Sequence, residues 1–359
     1  MCSRGNCYKP LERAAFFGKG GGFGARICPL IGAAQAGLPP LWPSPLPRLK
    51  SNDMLWQRTL KSSIHCTGVG VHTNQRVAMT LRPAAPNTGI VFRRVDLDDK
   101  TFEIKAVHAN VIDSRLCTVI GDGARVRIGT IEHLMAALSG LGVDNAIVEI
   151  DGDEVPVMDG SAAPFVFLIE FAGLVTQAAP RRAIKVLKTV VIEDGDRRVA
   201  VRPAAEFSLD CRIAYAHPML GEQRFYFRPS PGTFKAELSR ARTFCLEEDV
   251  ARMRQAGLAK GGSLDNAVVI GKARVLNEGG LRYYNECVRH KALDCLGDLY
   301  LAGAPILGAV ESVRAGHALN HRLLDTLLGD PAAACEVELD GGTFGPIEID
   351  AERSFAASA

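Results

Sequence analysis

From Met54 onward the chain alternates short polar/apolar runs with turn residues, a period-two pattern that predicts half-buried β-strands. Positions 76–82 and 89–94 are two such runs. The period then changes. Leu134, Ala137, Leu138 and Leu141 recur every three or four residues, which predicts a helix over 130–141 with Thr130 as its N-cap and Glu132 and His133 in its first turn. Gly142 ends it, and 145–150 reads as a strand. The second half follows the same grammar: strand-like runs at 183–193 and 198–203, a long helix from Glu286 to about Leu301 ended near Gly303, and a strand over 306–313. Each half thus sets a polar helix start, an apolar stripe, a glycine and a strand in one order, a weak internal repeat. The pattern predicts two related α+β halves meeting over a shared cleft, with domains at 54–178 and 179–350 and a flexible tail at 351–359.

Residues 1–53 break this pattern. They hold Gly20-Gly21-Gly22 and the proline-rich run at 38–47, and a segment of that kind buries too little apolar surface to order itself. They are expected to be a disordered N-terminal extension, with Met54 at or close to the native start. A targeting segment is the competing account, but its glycines and prolines would break the amphipathic helix of a transit peptide.

Composition narrows the class. The chain has 359 residues, 47% hydrophobic and 23% charged, enough for two ordinary globular domains. A formal net charge of +2, with no basic run interleaved with aromatics, argues against a nucleic-acid partner. No apolar stretch approaches the roughly 20 residues that span a bilayer. Positions 1–30 lack the compact apolar core of a secretory signal, so a cytoplasmic location is expected. The 10 cysteines form no CxxC pair, which argues against a cysteine metal site and a disulfide framework alike.

The candidate chemistry sits on the two helices. His290 and Asp294 are four apart, so an imidazole and a carboxylate project from one helical face toward one point. A hydrolytic metal needs a third protein ligand and an open position for water. His133 supplies the ligand, and Glu132 then stands beside the water as a base. The same spacing also occurs on solvated helix faces. If the metal reading holds, ligands from both predicted halves put the site between them, where small-molecule sites prefer to lie. Asp298 continues the same face of the second helix, and a carboxylate paired with His317 would orient that imidazole and favour its charged form, giving a general acid. The competing readings are a capping or loop histidine for His317 and a solvated helix charge for Lys291. The glycine run at 18–24 has no strand before it and no Lys-Ser/Thr after it, and is read as linker rather than a phosphate loop.

Seven segments are specific enough to carry a resemblance: Gln57-Arg58-Thr59-Leu60-Lys61, Thr67-Gly68-Val69-Gly70-Val71-His72-Thr73, Thr130-Ile131-Glu132-His133-Leu134, Met158-Asp159-Gly160-Ser161-Ala162-Ala163-Pro164-Phe165, Ser239-Arg240-Ala241-Arg242-Thr243-Phe244, Val288-Arg289-His290-Lys291 through Asp298, and Gly316-His317-Ala318-Leu319-Asn320. In these the chain resembles the bacterial UDP-3-O-acyl-N-acetylglucosamine deacetylases, zinc amidases of lipid A biosynthesis. The resemblance implies an α+β fold of two related domains, each a β-sheet, with helices packed between the two halves and the zinc site at the inter-domain cleft. It implies His133, His290 and Asp294 as ligands of Zn2+, with Fe2+ as an alternative occupant. It implies Glu132 as general base, His317 as general acid oriented by Asp298, Thr243 as an oxyanion donor, Phe244 as a wall of the sugar pocket and Lys291 as a contact to the polar substrate. Arg314 matches a basic position facing the diphosphate, which suits a guanidinium. Tyr215 matches an aromatic that stacks the uracil, although the segment after it differs in length. Ala267-Val268-Val269-Ile270 and Val275-Leu276 fall where the family builds a passage for the substrate's 3-O-acyl chain.

The expected reaction is hydrolysis of the acetamide of UDP-3-O-(3-hydroxyacyl)-N-acetylglucosamine to the free amine and acetate. The UDP-sugar lipid precursor is the one partner inferred, with no obligate protein partner. Two other readings stand beside it. A catalytically silent lipid- or nucleotide-binding relative predicts loss of Glu132 or of a ligand, and an amidase for another N-acyl sugar predicts a different substrate with the same machinery.

Overall fold

The computed structural model describes residues 55–97, 102–229 and 232–339. The expected extension at 1–53 and the tail at 351–359 lie outside the described residues. The first half runs β1 (Trp56–Leu60), β2 (Ile64–Val69), β3 (Arg76–Pro83), β4 (Ile90–Arg94), β5 (Phe102–Lys105), β6 (Val111–Asp113), β7 (Val119–Gly121), β8 (Arg127–Ile128), α1 (Glu132–Leu141), β9 (Ala146–Ile150), α2 (Ala163–Ala172) and β10 (Leu174–Pro180). The second runs β11 (Arg182–Val186), β12 (Val190–Asp194), β13 (Arg197–Pro203), β14 (Ser208–Tyr215), β15 (Gly221–Phe227), β16 (Phe244–Leu246), α3 (Glu247–Gln255), β17 (Val268–Ile270), α4 (Glu286–Leu299), β18 (Ile306–Val313), α5 (His317–Gly329) and β19 (Ala334–Glu338).

The internal repeat is written into the strand order. The first sheet is β2-β3-β9-β4-β5, with β4 and β9 the parallel pair and the other neighbours antiparallel. The second is β12-β13-β18-β14-β15, with β14 and β18 the parallel pair. The flanking pairs match too: β1 lies antiparallel to β10, and β11 antiparallel to β19. Each half inserts extra structure at one topological point, between the fourth strand of its sheet along the chain (β5 or β15) and the helix that leads into the central strand (α1 or α4). The first inserts the β6-β7-β8 sheet, and the second inserts β16, α3 and β17. Arg181 joins β10 to β11, and the expected division at 178/179 falls within β10.

Packing explains the sequence pattern. Val77, Met79 and Leu81 of β3 turn inward while Arg76 and Ala78 face out, as alternation dictates for a sheet with one solvated face. The helices form the layer between the sheets: α2 packs on β2, α4 on β14 and β15, α5 on β12 and β13, and α1 lies against α4 and α2. Central helices are buried on nearly every side, and Glu132 through Leu138 of α1 are all buried. The polar residues of α1 and α4 are therefore inside the protein. That removes the solvated-face alternative for His290 and Asp294.

Three local expectations are corrected. Thr130 does not cap α1. It takes a left-handed conformation (φ +55°), its hydroxyl donates to Glu154 Oε1 at 2.9 Å, and Ile131 precedes the helix. The run 183–193 is two strands, β11 and β12, because the Leu187 N–H bonds to the Ala333 carbonyl and the chain leaves β18 for β13. The long helix ends at Leu299, after which Tyr300–Ala302 tighten into a 3-10 turn closed by Gly303.

Candidate active site

His290 and Asp294 project from one face of α4 toward the first turn of α1, where His133 meets them. One ligand atom from each of the three lies within 4.8 Å of the others, and all three residues are buried. Asp294 Oδ1 is 3.3 Å from His290 Nε2 and 3.6 Å from His133 Nε2. Three features fit this set to a cation. Asp294 Oδ1 is buried without a hydrogen-bond partner, a cost that a bound cation removes. His290 Nδ1–H donates to the Ala241 carbonyl at 3.0 Å, which leaves Nε2 bare toward Asp294, the usual orientation of a metal-binding imidazole. Burial lowers the His290 pKa to about 4, against the pull of Asp294, so the ring is neutral as a ligand must be. Burial disfavours the Asp294 carboxylate, but the neighbouring imidazoles and above all the charged Lys291, bonded to it, outweigh burial and hold the group ionised.

The close approach of the helices depends on Gly297. A Cβ there would collide with the backbone oxygen of Glu132, so α4 presents bare backbone where α1 begins. The segment before β16 is tied to α4 in turn. Arg242 pairs with buried Glu286 in the first turn of α4 (Nε to Oε1 2.8 Å), Glu286 also accepts the Arg242 and Arg282 backbone N–H groups, and Ala241 receives His290. The Thr243 N–H donates to the Gly160 carbonyl at 2.7 Å. Gly160 has φ +81°, and a side chain there would strike the Asn266 carbonyl. Thr243 and Phe244 are thereby held at the cavity wall, with the Phe244 ring 6.4 Å from that of His290 and nearly perpendicular to it.

On the other side of the metal set stand Glu132 and His317. Glu132 Oε2 accepts the Thr118 N–H at 3.1 Å, and Oε1 lies 3.8 Å from His317 Nε2. Burial raises the Glu132 pKa, opposed by His317 and His133, so this carboxyl is a stronger base than an exposed one. His317 opens α5, and its Nδ1–H donates to Asp298 Oδ2 at 2.8 Å. Burial works against the charged ring, but Asp298, Glu132 and Asp294 together raise its pKa to about 9. Asp298 is wholly buried, and although desolvation disfavours its charge, the neighbouring His317 and His321 and the hydrogen bonds from His317 and Thr118 outweigh it. Lys291 Nζ bonds Asp294 Oδ2 at 2.8 Å and is no solvated helix charge.

The set opens into a cavity of about 680 Å³. Glu132, His133, His290, Lys291, Asp294 and His317 lie at one part of its wall with Thr243 and Phe244, and Val250, Met253, Leu264, Ala267, Val269 and Leu276 of the second insert line another. Within the expected passage segments, Val269 faces this cavity while Val268 and Ile270 turn into the core. A second cavity, about 290 Å³, is lined by Tyr215, Arg314, Arg197 and Lys291, so Lys291 borders both. Tyr215 and Phe244 meet edge to face at 5.8 Å, a ring contact between the two cavities. Arg314 is partly exposed and pairs with Asp196.

Ten of the eleven sequence-predicted site residues thus line one of the two cavities, and the eleventh, Asp298, lies behind His317. Sequence reasoning missed Thr118, Glu154, Asn320 and His321. Asn320 Nδ2 donates to Asp298 Oδ2 at 2.8 Å, and His321 Nε2 lies 3.6 Å from Oδ1. Both follow His317 at three- and four-residue spacing on one helix, the signal that could have found them. Glu154 gathers the His72 and Thr73 N–H groups and both threonine hydroxyls, Thr73 and Thr130, and so braces the backbone just ahead of Glu132.

A duplicated α+β scaffold with a buried His/His/Asp set, a carboxylate beside it and a carboxylate-bound imidazole opposite describes a metal-centred hydrolytic site. The chain matches the model of UDP-3-O-acyl N-acetylglycosamine deacetylase over residues 57–329, and it belongs to that family. A UDP-3-O-acyl-N-acetylglucosamine deacetylase of Acidithiobacillus ferrooxidans is 52% identical over 277 residues, 77% of this chain and 90% of that protein. Proteins of the same name from Xanthomonas axonopodis pv. citri and Stenotrophomonas maltophilia are each 49% identical, covering 82% of this chain and 97% and 98% of their own length.

Proposed function

We propose that this protein is a metal-dependent deacetylase that hydrolyses the acetamide of UDP-3-O-(3-hydroxyacyl)-N-acetylglucosamine to the free amine and acetate, a step of lipid A biosynthesis. The observation that carries the reading is the buried constellation itself: His133, His290 and Asp294 converge on one point with Glu132 and His317 on the same cavity wall. A silent binding relative would not keep Glu132 beside an intact ligand set.

His133, His290 and Asp294 are the residues to hold the ion, which we take to be Zn2+, with Fe2+ the alternative occupant of a His/His/Asp set. Bound there, it supplies Lewis acidity that makes water nucleophilic near neutral pH. Glu132 takes a proton from the attacking water, a task helped by its raised basicity. Thr243 donates to the oxyanion of the tetrahedral intermediate. His317, charged through Asp298, protonates the departing nitrogen, which as an amide anion would not leave. Lys291 and Phe244 contact the sugar, the apolar wall of the large cavity receives the acyl chain, and Tyr215 with Arg314 binds the uracil and diphosphate at the second cavity. Among the described residues no helix is long and apolar enough to cross a membrane, and a cytoplasmic setting is part of the proposal. So is the division into domains 54–178 and 179–350.

The test is acetate release from a panel varying nucleotide and acyl chain, with metal stoichiometry measured on the same sample. The expected result is one metal per chain and turnover confined to the UDP-linked, 3-O-acylated substrate. Equal turnover of N-acetyl sugars lacking UDP would replace this reading with that of a different amidase.

A further inference from the structure

Thr118, the residue before β7, is fully buried and touches both proton-handling groups of the cleft. Its N–H donates to Glu132 Oε2 at 3.1 Å, its hydroxyl lies 2.6 Å from Asp298 Oδ1, and the same oxygen lies 2.8 Å from His321 Nε2. Only one arrangement of protons satisfies these contacts. An ionised Asp298 accepts but cannot donate, so the threonine proton points to Oδ1. The hydroxyl then has only lone pairs left for His321, so Nε2 carries the hydrogen and donates. In the neutral ring Nδ1 is bare, and it is buried without a partner. Burial also lowers the His321 pKa, against Asp298, consistent with an uncharged ring.

Asp298 is therefore held at both oxygens: Oδ2 accepts from His317 and Asn320, and Oδ1 from Thr118, which His321 backs. We propose that Thr118 and His321 form a positioning arm that fixes the Asp298 carboxylate, and through it the His317 ring, in register with Glu132. The proposal rests on the deacetylase reading. Neither residue touches substrate; both act through Asp298. The arm joins the first half's insert to α5 of the second half, so the base and the acid's partner share one anchor.

The experiment compares Thr118→Val, which keeps the shape and the backbone N–H but loses the hydroxyl, with Thr118→Ser, which keeps the hydroxyl. Thr118→Val lowers kcat about 10-fold, the scale on which outer-shell partners act, with KM and metal content unchanged. Thr118→Ser stays within about threefold of the parent. His321→Gln, whose amide N–H can replace the ring donor, stays near the parent while His321→Leu falls like Thr118→Val; this pair serves if Thr118→Val does not fold. Imidazole 15N shifts add a readout independent of turnover: His321 is the Nε2–H tautomer in the parent, and that preference is lost in Thr118→Val. Parent kcat in Thr118→Val, or a serine variant as slow as the valine one, overturns the arm. If the parent shows no deacetylase activity, the functional reading fails and the His321 tautomer alone judges the arm: Nδ1–H in the parent, or no change in Thr118→Val, overturns it.

Discussion

α1 and α4 hold the same place in their halves, each running into the central strand of its sheet, β9 or β18, but they bring polar residues to the cleft in different ways. α1 offers two adjacent residues in its first turn. Neighbours on a helix diverge by about 100°, so His133 can turn to the metal set while Glu132 stands off it. α4 offers His290, Asp294 and Asp298 at four-residue spacing along one buried face, so the two proposed ligands and the carboxylate proposed to orient the acid line up in a row. On the proposed roles, copies of one scaffold have taken separate duties: the repeat supplies the frame, and the chemistry lies in how far along each helix the polar residues fall. Their contact at Gly297 sets the start of one helix against the last turn of the other.

The sharpest way to break this division is to remove the share of α4. His290→Ala or Asp294→Ala is expected to release the metal and reduce turnover to background, with metal content by mass spectrometry as the check; full retention of metal would discard the ligand set. Glu132→Gln, on α1, is expected to keep the metal and lower kcat by about 100-fold or more. A variant that lost metal instead would make Glu132 a ligand, and the helices would not differ as described.

The pH profile tests the third member of the row. The proposed general acid His317 acts in its charged form, so activity is expected to fall as pH rises through its pKa, raised from 6.5 to about 9. Asp298→Asn removes the carboxylate that holds this charge, so the alkaline limb of kcat should move to lower pH; a limb that stays in place assigns the acid elsewhere. The smallest expected effect concerns the contact that joins the helices. Gly297→Ala forces a methyl against the Glu132 carbonyl and should destabilise the fold by about 1–3 kcal/mol, the usual cost of overpacking. Denaturant unfolding measures it, and an unchanged midpoint would show that α1 moves aside freely.

Much of this was legible before the structure because it is local. His290, Asp294 and Asp298 obey helical spacing, and the repeat of helix, glycine and strand reappears as two sheets of identical order. What escaped depends on distant partners. Thr130 has the residue type of an N-cap, but Glu154, on the other side of β9, claims its hydroxyl, and no propensity scale registers that. The run 183–193 is apolar enough for one strand, and only its pairing with β18 and then β13 splits it. Thr118 bonds residues 14, 180 and 203 positions away, so nothing in its neighbourhood marks it.

The separation of His133 from His290 and Asp294 also bears on how the protein is made. A chain synthesised only through α2 carries one of the three proposed ligands, and a lone imidazole does not retain a metal ion. Capture of the ion must wait until α4 has emerged and closed its long loop back onto α1. On the proposed ligand set, stable metal retention is therefore expected to mark completed synthesis and folding, with truncated or half-folded chains unable to sequester the ion.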